Sequence, residues 1–132
     1  MSKILIKNSL LVATMNNEKE EFSGGHILIE NDKIISISNN NPDIEVDEVI
    51  DASNMIVLPG FINTHHHFYQ TLTRNIPHMQ NASLFSWLND HYEVWRELTE
   101  DGITVSTKTA IAELMKSGTT TSSDHLYLFP QK

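Results

Sequence analysis

Hydrophobic and polar positions change their rhythm once along this chain, near Leu58-Pro59-Gly60. Before that point the apolar residues come in short runs: Ile4-Leu5-Ile6, Leu10-Leu11-Val12, Ile27-Leu28-Ile29, Ile34-Ile35 with Ile37, then Val46 to Ile50 and Met55 to Leu58. Polar clusters such as Asn8-Ser9, Asn31-Asp32 and Asn39-Asn40-Asn41-Pro42 separate them, and short apolar runs bounded in this way predict β-strands. Gly24-Gly25 opens one strand at His26–Glu30, and Asn31-Asp32 joins it to Lys33–Ser38 as a β-hairpin. Met15 to Ser23 is polar and acidic and predicts a loop. No segment before Leu58 carries a long helical period, so residues 1–57 read as a small antiparallel β unit.

Beyond Pro59-Gly60, Phe61-Ile62 predicts a buried strand running into His65-His66-His67, and Phe68 to Asn75 predicts a loop or short helical turn. Leu84, Phe85, Leu88, Tyr92, Trp95 and Leu98 recur at helical spacing, which predicts an amphipathic helix from Ser83 to Leu98. Thr99 is suited to cap a second helix, with Glu100 and Asp101 in the first turn, where the helix dipole favours negative charge. Ile103, Thr107, Ala110, Ile111 and Leu114 would form its buried stripe and Gly118 its C-terminal cap. Thr119 to Ser123 predicts the next strand, ending at Asp124-His125. The order strand, loop, helices, strand is one βα unit and the start of another, an α/β arrangement, which divides the chain into residues 1–57 and 58–132.

With 132 residues the chain can bury one sizeable core but not two large ones. Its 39% apolar and 20% charged composition is that of a globular chain, and no apolar run approaches the roughly 20 residues that cross a bilayer, so a membrane role is not expected. Lys3 and Lys7 followed by a short apolar run without a cleavage site make a poor signal peptide, and a cytoplasmic location is expected. A net charge of −8, with nine scattered Lys and Arg residues, argues against nucleic acid as a partner. The absence of cysteine leaves His, Asp and Glu as the only strong metal ligands.

That restriction brings the histidines forward. Side chains two residues apart on a strand share a face, so His65 and His67 point one way and His66, in a supporting role, the other. In a β/α barrel the catalytic groups come from the C-terminal ends of strands, where His65, His67, Asp124 and His125 all fall. A catalytic zinc needs about three protein ligands, so two histidines make only half of a site. The competing reading is a solvated loop with incidental metal affinity. The apolar strand and the Pro-Gly step that lead into the histidines favour the metal. Gln70 and Arg74 either line the same cavity, as donors and acceptors for a nitrogen heterocycle, or tie down the loop. Asp124 and His125 are candidate orienters or substrate contacts, and Asp124 serves equally well as a cap for the next element. His26, His78 and His91 read as surface or capping residues, and Trp87 and Trp95 as packing residues.

The run Leu58-Pro59-Gly60-Phe61-Ile62-Asn63-Thr64-His65-His66-His67 resembles the first barrel strand of the metal-dependent amidohydrolase superfamily. The continuation Phe68 to Arg74, together with Thr119 to Pro130, is similar to the aminohydrolase branch that includes 8-oxoguanine deaminase, hydroxydechloroatrazine ethylaminohydrolase and related triazine hydrolases. The resemblance spans essentially the whole chain. It implies part of a composite β-sandwich at residues 1–57, then the first βα units of an incomplete (β/α)8 TIM barrel at 58–132. It also implies one divalent metal, Zn²⁺ or Fe²⁺, with His65 and His67 among its ligands, and Gln70, Arg74, Asp124 and His125 near a small heterocyclic substrate that is hydrolytically deaminated. The remaining ligands and the general acid/base residues are expected beyond Lys132. On that reading the chain is an N-terminal fragment, inactive alone, and a homo-oligomer of the full-length enzyme is compatible with it. The alternatives are a non-catalytic metal-binding or assembly remnant, or a different amidohydrolase such as a chlorohydrolase.

Overall fold

A computed structural model of the chain describes residues 2–128; Phe129 and Pro130, which close the run similar to the aminohydrolase branch, lie outside the described residues. The chain forms two compact units, Met1–Pro59 and Gly60–Lys132.

Among the described residues the first unit contains seven strands: β1 (Lys3–Lys7), β2 (Leu11–Ala13), β3 (Glu21–Ser23), β4 (His26–Glu30), β5 (Lys33–Ser38), β6 (Glu48–Asp51) and β7 (Ile56–Val57). They make two sheets, one ordered β5-β4-β1-β6 and the other β3-β2-β7. The expected hairpin is present: Glu30 pairs with Lys33 across Asn31-Asp32, and Asn31 takes the left-handed conformation at φ 56° that such a turn requires. Leu5, Val12, Ala13, Ile27 and Ala52 are the buried apolar residues of this unit.

The antiparallel reading of this unit is corrected in part. β6 runs parallel to β1, and β7 parallel to β2. Alternation specifies which face of a strand is buried and carries no information about strand direction. Direction here follows from the return of the chain after the hairpin, where Asp47 meets the chain start: Lys3 donates its N–H to Asp47 Oδ2 at 2.7 Å, and Asp47 donates its own to the Lys3 carbonyl at 3.0 Å. These two bonds set Ile4 opposite Glu48. A second correction concerns the predicted loop: its last residues form β3, because Phe22 pairs with Val12. One half-buried apolar residue is too small a signal to register as a strand. His26 is buried at the start of β4 and is not a surface residue.

The second unit places β8 (Phe61–Asn63) parallel to β9 (Thr119–Ser122), with helices α1 (Leu84–Trp95) and α2 (Glu100–Lys116) between them in sequence. Parallel neighbours need a long crossover, which the helices supply. The expected caps form: Thr99 Oγ1 accepts the Gly102 N–H at 3.1 Å, Glu100 and Asp101 occupy the first turn, and Gly118 leaves the helix at φ 82°. β8 and β9 approach so closely at Gly60 that a Cβ there would overlap the Thr120 side chain. Gly60→Ala is therefore expected to destabilise this unit by about 1–3 kcal/mol, the usual cost of overpacking. Urea denaturation of the single variant and of a Gly60→Ala/Thr120→Gly double variant checks it, since the second change removes the clash.

The predicted faces are buried in part: in α2 Ile103, Thr107, Ala110 and Leu114 turn inward as expected, and in α1 Leu88 and Trp95 do. In α1, Leu84 and Phe85 are exposed, at 67% and 78%, while Trp95 and His91 are buried. The inward stripe is Trp87, His91 and Trp95, spaced by four residues. His91, expected at the surface, is accommodated because its ring lies between the carbonyls of Trp87, at 2.9 Å, and Thr73, at 3.3 Å, one of which accepts its ring N–H. In α2 the centre of the buried stripe is Ser106 and Ala110, and Ile111 is exposed. The small residues let the 3₁₀ turn Phe68–Gln70 lie against the helix, where Ser106 Oγ donates to the Phe68 carbonyl at 2.7 Å.

Candidate functional site

The regular part of β8 ends at Asn63, yet the parallel ladder continues beyond it. Ser123 donates its N–H to the Asn63 carbonyl at 3.0 Å, and His125 donates to the His66 carbonyl at 2.8 Å. Ser123 Oγ also reaches the Thr64 carbonyl, at 2.6 Å. The three histidines thus lie on backbone held by the extension of β9, although they are outside the strand itself.

His65 Nε2 and His67 Nε2 converge to 3.2 Å. Two donors bound about 2.0–2.1 Å from one tetrahedral ion stand about 3.3 Å apart, so the pair has the bite of two ligands on a common metal. The same spacing suits one proton shared between the rings, which is the competing use of the pair. The orientation of His67 makes its Nε2 the electron-pair donor in either use. Its Nδ1 lies 2.8 Å from the His125 carbonyl, which can only accept, so Nδ1 carries a proton and, in the neutral ring, Nε2 presents a lone pair. A histidine whose outer nitrogen is tied to a carbonyl is the usual form of a metal ligand. The His125 ring stacks on His65, with centroids 4.4 Å apart and planes inclined by 24°. Among the described residues, no group of three or more His, Asp or Glu side chains is assembled to hold a metal. The donor set present therefore fits two coordination positions.

Around this pair lies an open cleft of about 250 Å³ lined by His65, His66, His67, Gln70, Thr71 and Arg74. His66, expected to face away from the pair, contributes to the wall; its Nδ1 is buried without a hydrogen-bond partner, and its ring packs edge-on against Phe68 at 4.9 Å. Thr71 Oγ1 is likewise buried and unpartnered. No pattern in the sequence distinguishes Thr71 from the other threonines.

Gln70 and Arg74 both line the cleft, and each is also engaged elsewhere. Gln70 Nε2 donates to the Tyr69 hydroxyl at 3.0 Å. Burial pushes the Tyr69 phenol above its ordinary pKa, opposed by the bond from Gln70, so it remains a neutral hydroxyl near pH 7. Arg74 makes a two-pronged ion pair with Glu113 of α2, at 2.7 and 2.8 Å. That bond raises the arginine pKa and holds the Glu113 carboxyl below its ordinary value. Asp124 does not line this cleft: its Oδ1 accepts the Phe68 N–H at 2.9 Å and so fixes the start of the 3₁₀ turn.

Residues 56–129 match the model of the Amidohydrolase family. The 8-oxoguanine deaminase of Pseudomonas aeruginosa is 42% identical over 132 residues, covering 98% of this chain and 29% of that protein. The 5'-deoxyadenosine deaminase of Methanobrevibacter smithii is 41% identical over 124 residues, covering 92% of this chain and 27% of its own length. Among solved structures, atrazine chlorohydrolase from Arthrobacter aurescens complexed with zinc superposes with a TM-score of 0.85 at 31% identity, over 92% of this chain and 28% of that one. A triazine hydrolase variant reaches a TM-score of 0.91 at 31% identity, over 99% of this chain and 30% of its own. The chain thus spans less than a third of the length of these relatives. The matched residues carry the parallel pair β8 and β9 and the convergent histidines, and this chain belongs to the Amidohydrolase family.

Proposed function

We propose that this chain forms the metal-anchoring part of a hydrolase that deaminates a purine- or triazine-like heterocycle. The observation that carries the reading is the convergence of His65 and His67 with the His67 Nδ1 bound to a carbonyl, which points the Nε2 lone pair at a common position. In this reading β8, α1, α2 and β9 begin a (β/α)8 barrel, whose active sites lie at the C-terminal ends of the strands. Residues 1–57 belong to a composite β-sandwich, and 58–132 to the barrel. The parallel pairing of β8 and β9, and the names of the relatives, support it.

His65 and His67 would hold one divalent ion; imidazole nitrogen suits zinc and iron(II) alike, and zinc is present in a solved relative. When bound, such an ion supplies Lewis acidity that brings the pKa of water towards about 7. The side chains of this chain do the remaining work assigned to it. Gln70 and Arg74 meet the heterocycle in the cleft. His125 buttresses His65 by stacking and orients His67 through its carbonyl. Asp124 acts on the substrate side through the turn that carries Gln70.

A chimera tests the proposal: residues 1–132 replace the corresponding segment of the Pseudomonas aeruginosa deaminase. Ammonia release from 8-oxoguanine within about tenfold of the parent is expected, and its loss on His67→Ala. A folded, zinc-loaded chimera that releases no ammonia from purines or triazines would overturn the deaminase reading. A chlorohydrolase would instead release chloride from a chlorinated triazine.

A further inference from the structure

His67 stands at φ −129° and ψ 85°, past the end of β8 and at the start of the 3₁₀ turn Phe68–Gln70. A Ser, Thr, Asp or Asn in that place would cap the turn, its side chain accepting a free N–H of the first turn. His67 makes no such cap: its ring is turned to the His125 carbonyl, with Nδ1 at 2.8 Å. The acceptor comes instead from 56 positions away, where Asp124 Oδ1 takes the Phe68 N–H at 2.9 Å.

Peptide units are planar, so the two units that flank a residue fix its φ and ψ. Both units around His67 are held. In the unit before it, the His66 carbonyl accepts the His125 N–H at 2.8 Å. In the unit after it, the Phe68 N–H goes to Asp124 and the His67 carbonyl accepts the Gln70 N–H at 3.1 Å. The neighbours Asp124 and His125 thus grip the His67 backbone on both sides and its ring at Nδ1. Both bonds from His125 are made by its backbone, whereas the bond from Asp124 is made by its side chain. We infer that Asp124 is a positioning residue for the proposed ligand His67: its carboxylate supplies the cap that a metal-facing histidine cannot give, and so fixes the backbone from which the imidazole projects. The inference rests on the proposed metal-holding role of His67 and goes beyond it, because it gives Asp124, through its hold on the turn, a share in the affinity for the metal.

The test measures the zinc affinity of the full 132-residue chain by competition with a chromophoric chelator. Asp124→Ala should bind zinc about tenfold or more weakly, the loss typical of removing a group that orients a ligand. Asp124→Asn keeps an oxygen for the Phe68 N–H and should bind at least about fivefold more tightly than Asp124→Ala, the worth of one hydrogen bond. Both variants lack the carboxylate charge, so their difference isolates that bond; circular dichroism checks that both fold. A second reading needs no variant and decides the matter if Asp124→Ala does not fold. Coupling is reciprocal: if opening the bond between Asp124 and Phe68 weakens zinc binding, saturating zinc must hold that bond closed by the same factor. Exchange of the Phe68 amide hydrogen in the wild-type chain, followed by NMR, should therefore slow about tenfold on adding zinc, while that of Ile27 in β4 stays unchanged. Wild-type zinc affinity in Asp124→Ala, or Phe68 exchange indifferent to zinc, overturns the positioning role and leaves the metal reading intact. Equal losses in the Asn and Ala variants mean that the carboxylate acts through its charge, which overturns it too. A wild-type chain that binds no zinc overturns the metal reading and this inference with it.

Discussion

Replacement of His67 by alanine is expected to lower the zinc affinity of the chain by at least about 100-fold, as is replacement of His65. Substitutions of groups that merely orient a ligand typically cost 10- to 100-fold, and loss of the ligand itself should cost no less. The two Nε2 atoms converge to 3.2 Å, so each variant reduces a two-point grip to a single imidazole. His66→Ala is the informative control. Its ring lies in the wall of the cleft, packed against Phe68. The alternation of side chains gives it no share in the pair, so its affinity change should stay within about threefold, well under a ligand's cost. Competition with a chromophoric chelator measures all three. A loss in His66→Ala equal to that in His67→Ala would mean that the metal sits on neighbouring rings and that the pairing of His65 with His67 is a proton bridge.

Trp95→Ala should have the largest effect on stability, about 3–5 kcal/mol, the range for truncating a buried aromatic residue. Trp95 is 1% exposed and stands at the centre of an aromatic cluster: Tyr69 at 5.2 Å, His91 at 5.1 Å, Tyr92 at 5.4 Å and Trp87 at 5.6 Å. Truncation opens a cavity beneath Tyr69 and also removes the indole donor from Thr73, itself buried. Trp95→Phe keeps much of the packing and loses the donor, so it should cost distinctly less. Urea unfolding followed by circular dichroism distinguishes the two variants. A loss below about 1 kcal/mol for Trp95→Ala would show that the cluster is not the centre of the second unit's core, since surface substitutions stay within about 0.5 kcal/mol. The same variant should blur the wall of the cleft, because the position of Tyr69, and through it Gln70, depends on this packing.

Local chemistry was legible where a few adjacent residues decide the outcome. Asn31-Asp32 makes its hairpin turn because asparagine tolerates the left-handed conformation. Thr99 caps α2, and Gly118 leaves it, for reasons contained in one turn of chain. The Pro59-Gly60 step leads into β8 as expected, with Gly60 needed because Thr120 is so close. The nearness of His65 and His67 followed from two-residue alternation alone, although the residues lie past the end of the strand.

What the sequence misread was decided by groups distant in the chain. In α1 the predicted stripe buries Trp95 and half-buries Leu88 but leaves Leu84, Phe85 and Tyr92 exposed, while His91 turns inward, where a carbonyl accepts its ring N–H and the Thr73 hydroxyl accepts the Trp95 indole N–H. Periodicity counts apolar side chains and cannot see such partners. The parallel directions of β6 and β7 depend on where the returning chain is anchored, and Asp47 binding to Lys3 is a contact across 44 positions.

By itself, then, the sequence determined the helices and the strands other than β3, the caps of α2 and the hairpin turn, and the pair of histidines two residues apart. These follow from interactions within a few residues, which a linear pattern records. Only the tertiary structure decided that the His125 carbonyl fixes the His67 ring, that Asp124 holds the turn at Phe68, and that Tyr69 holds the amide of Gln70. The first two join residues more than fifty positions apart, and the third depends on the packing of Tyr69 against Trp95. Such contacts exist only once the parallel strands and the helices between them have brought those residues together.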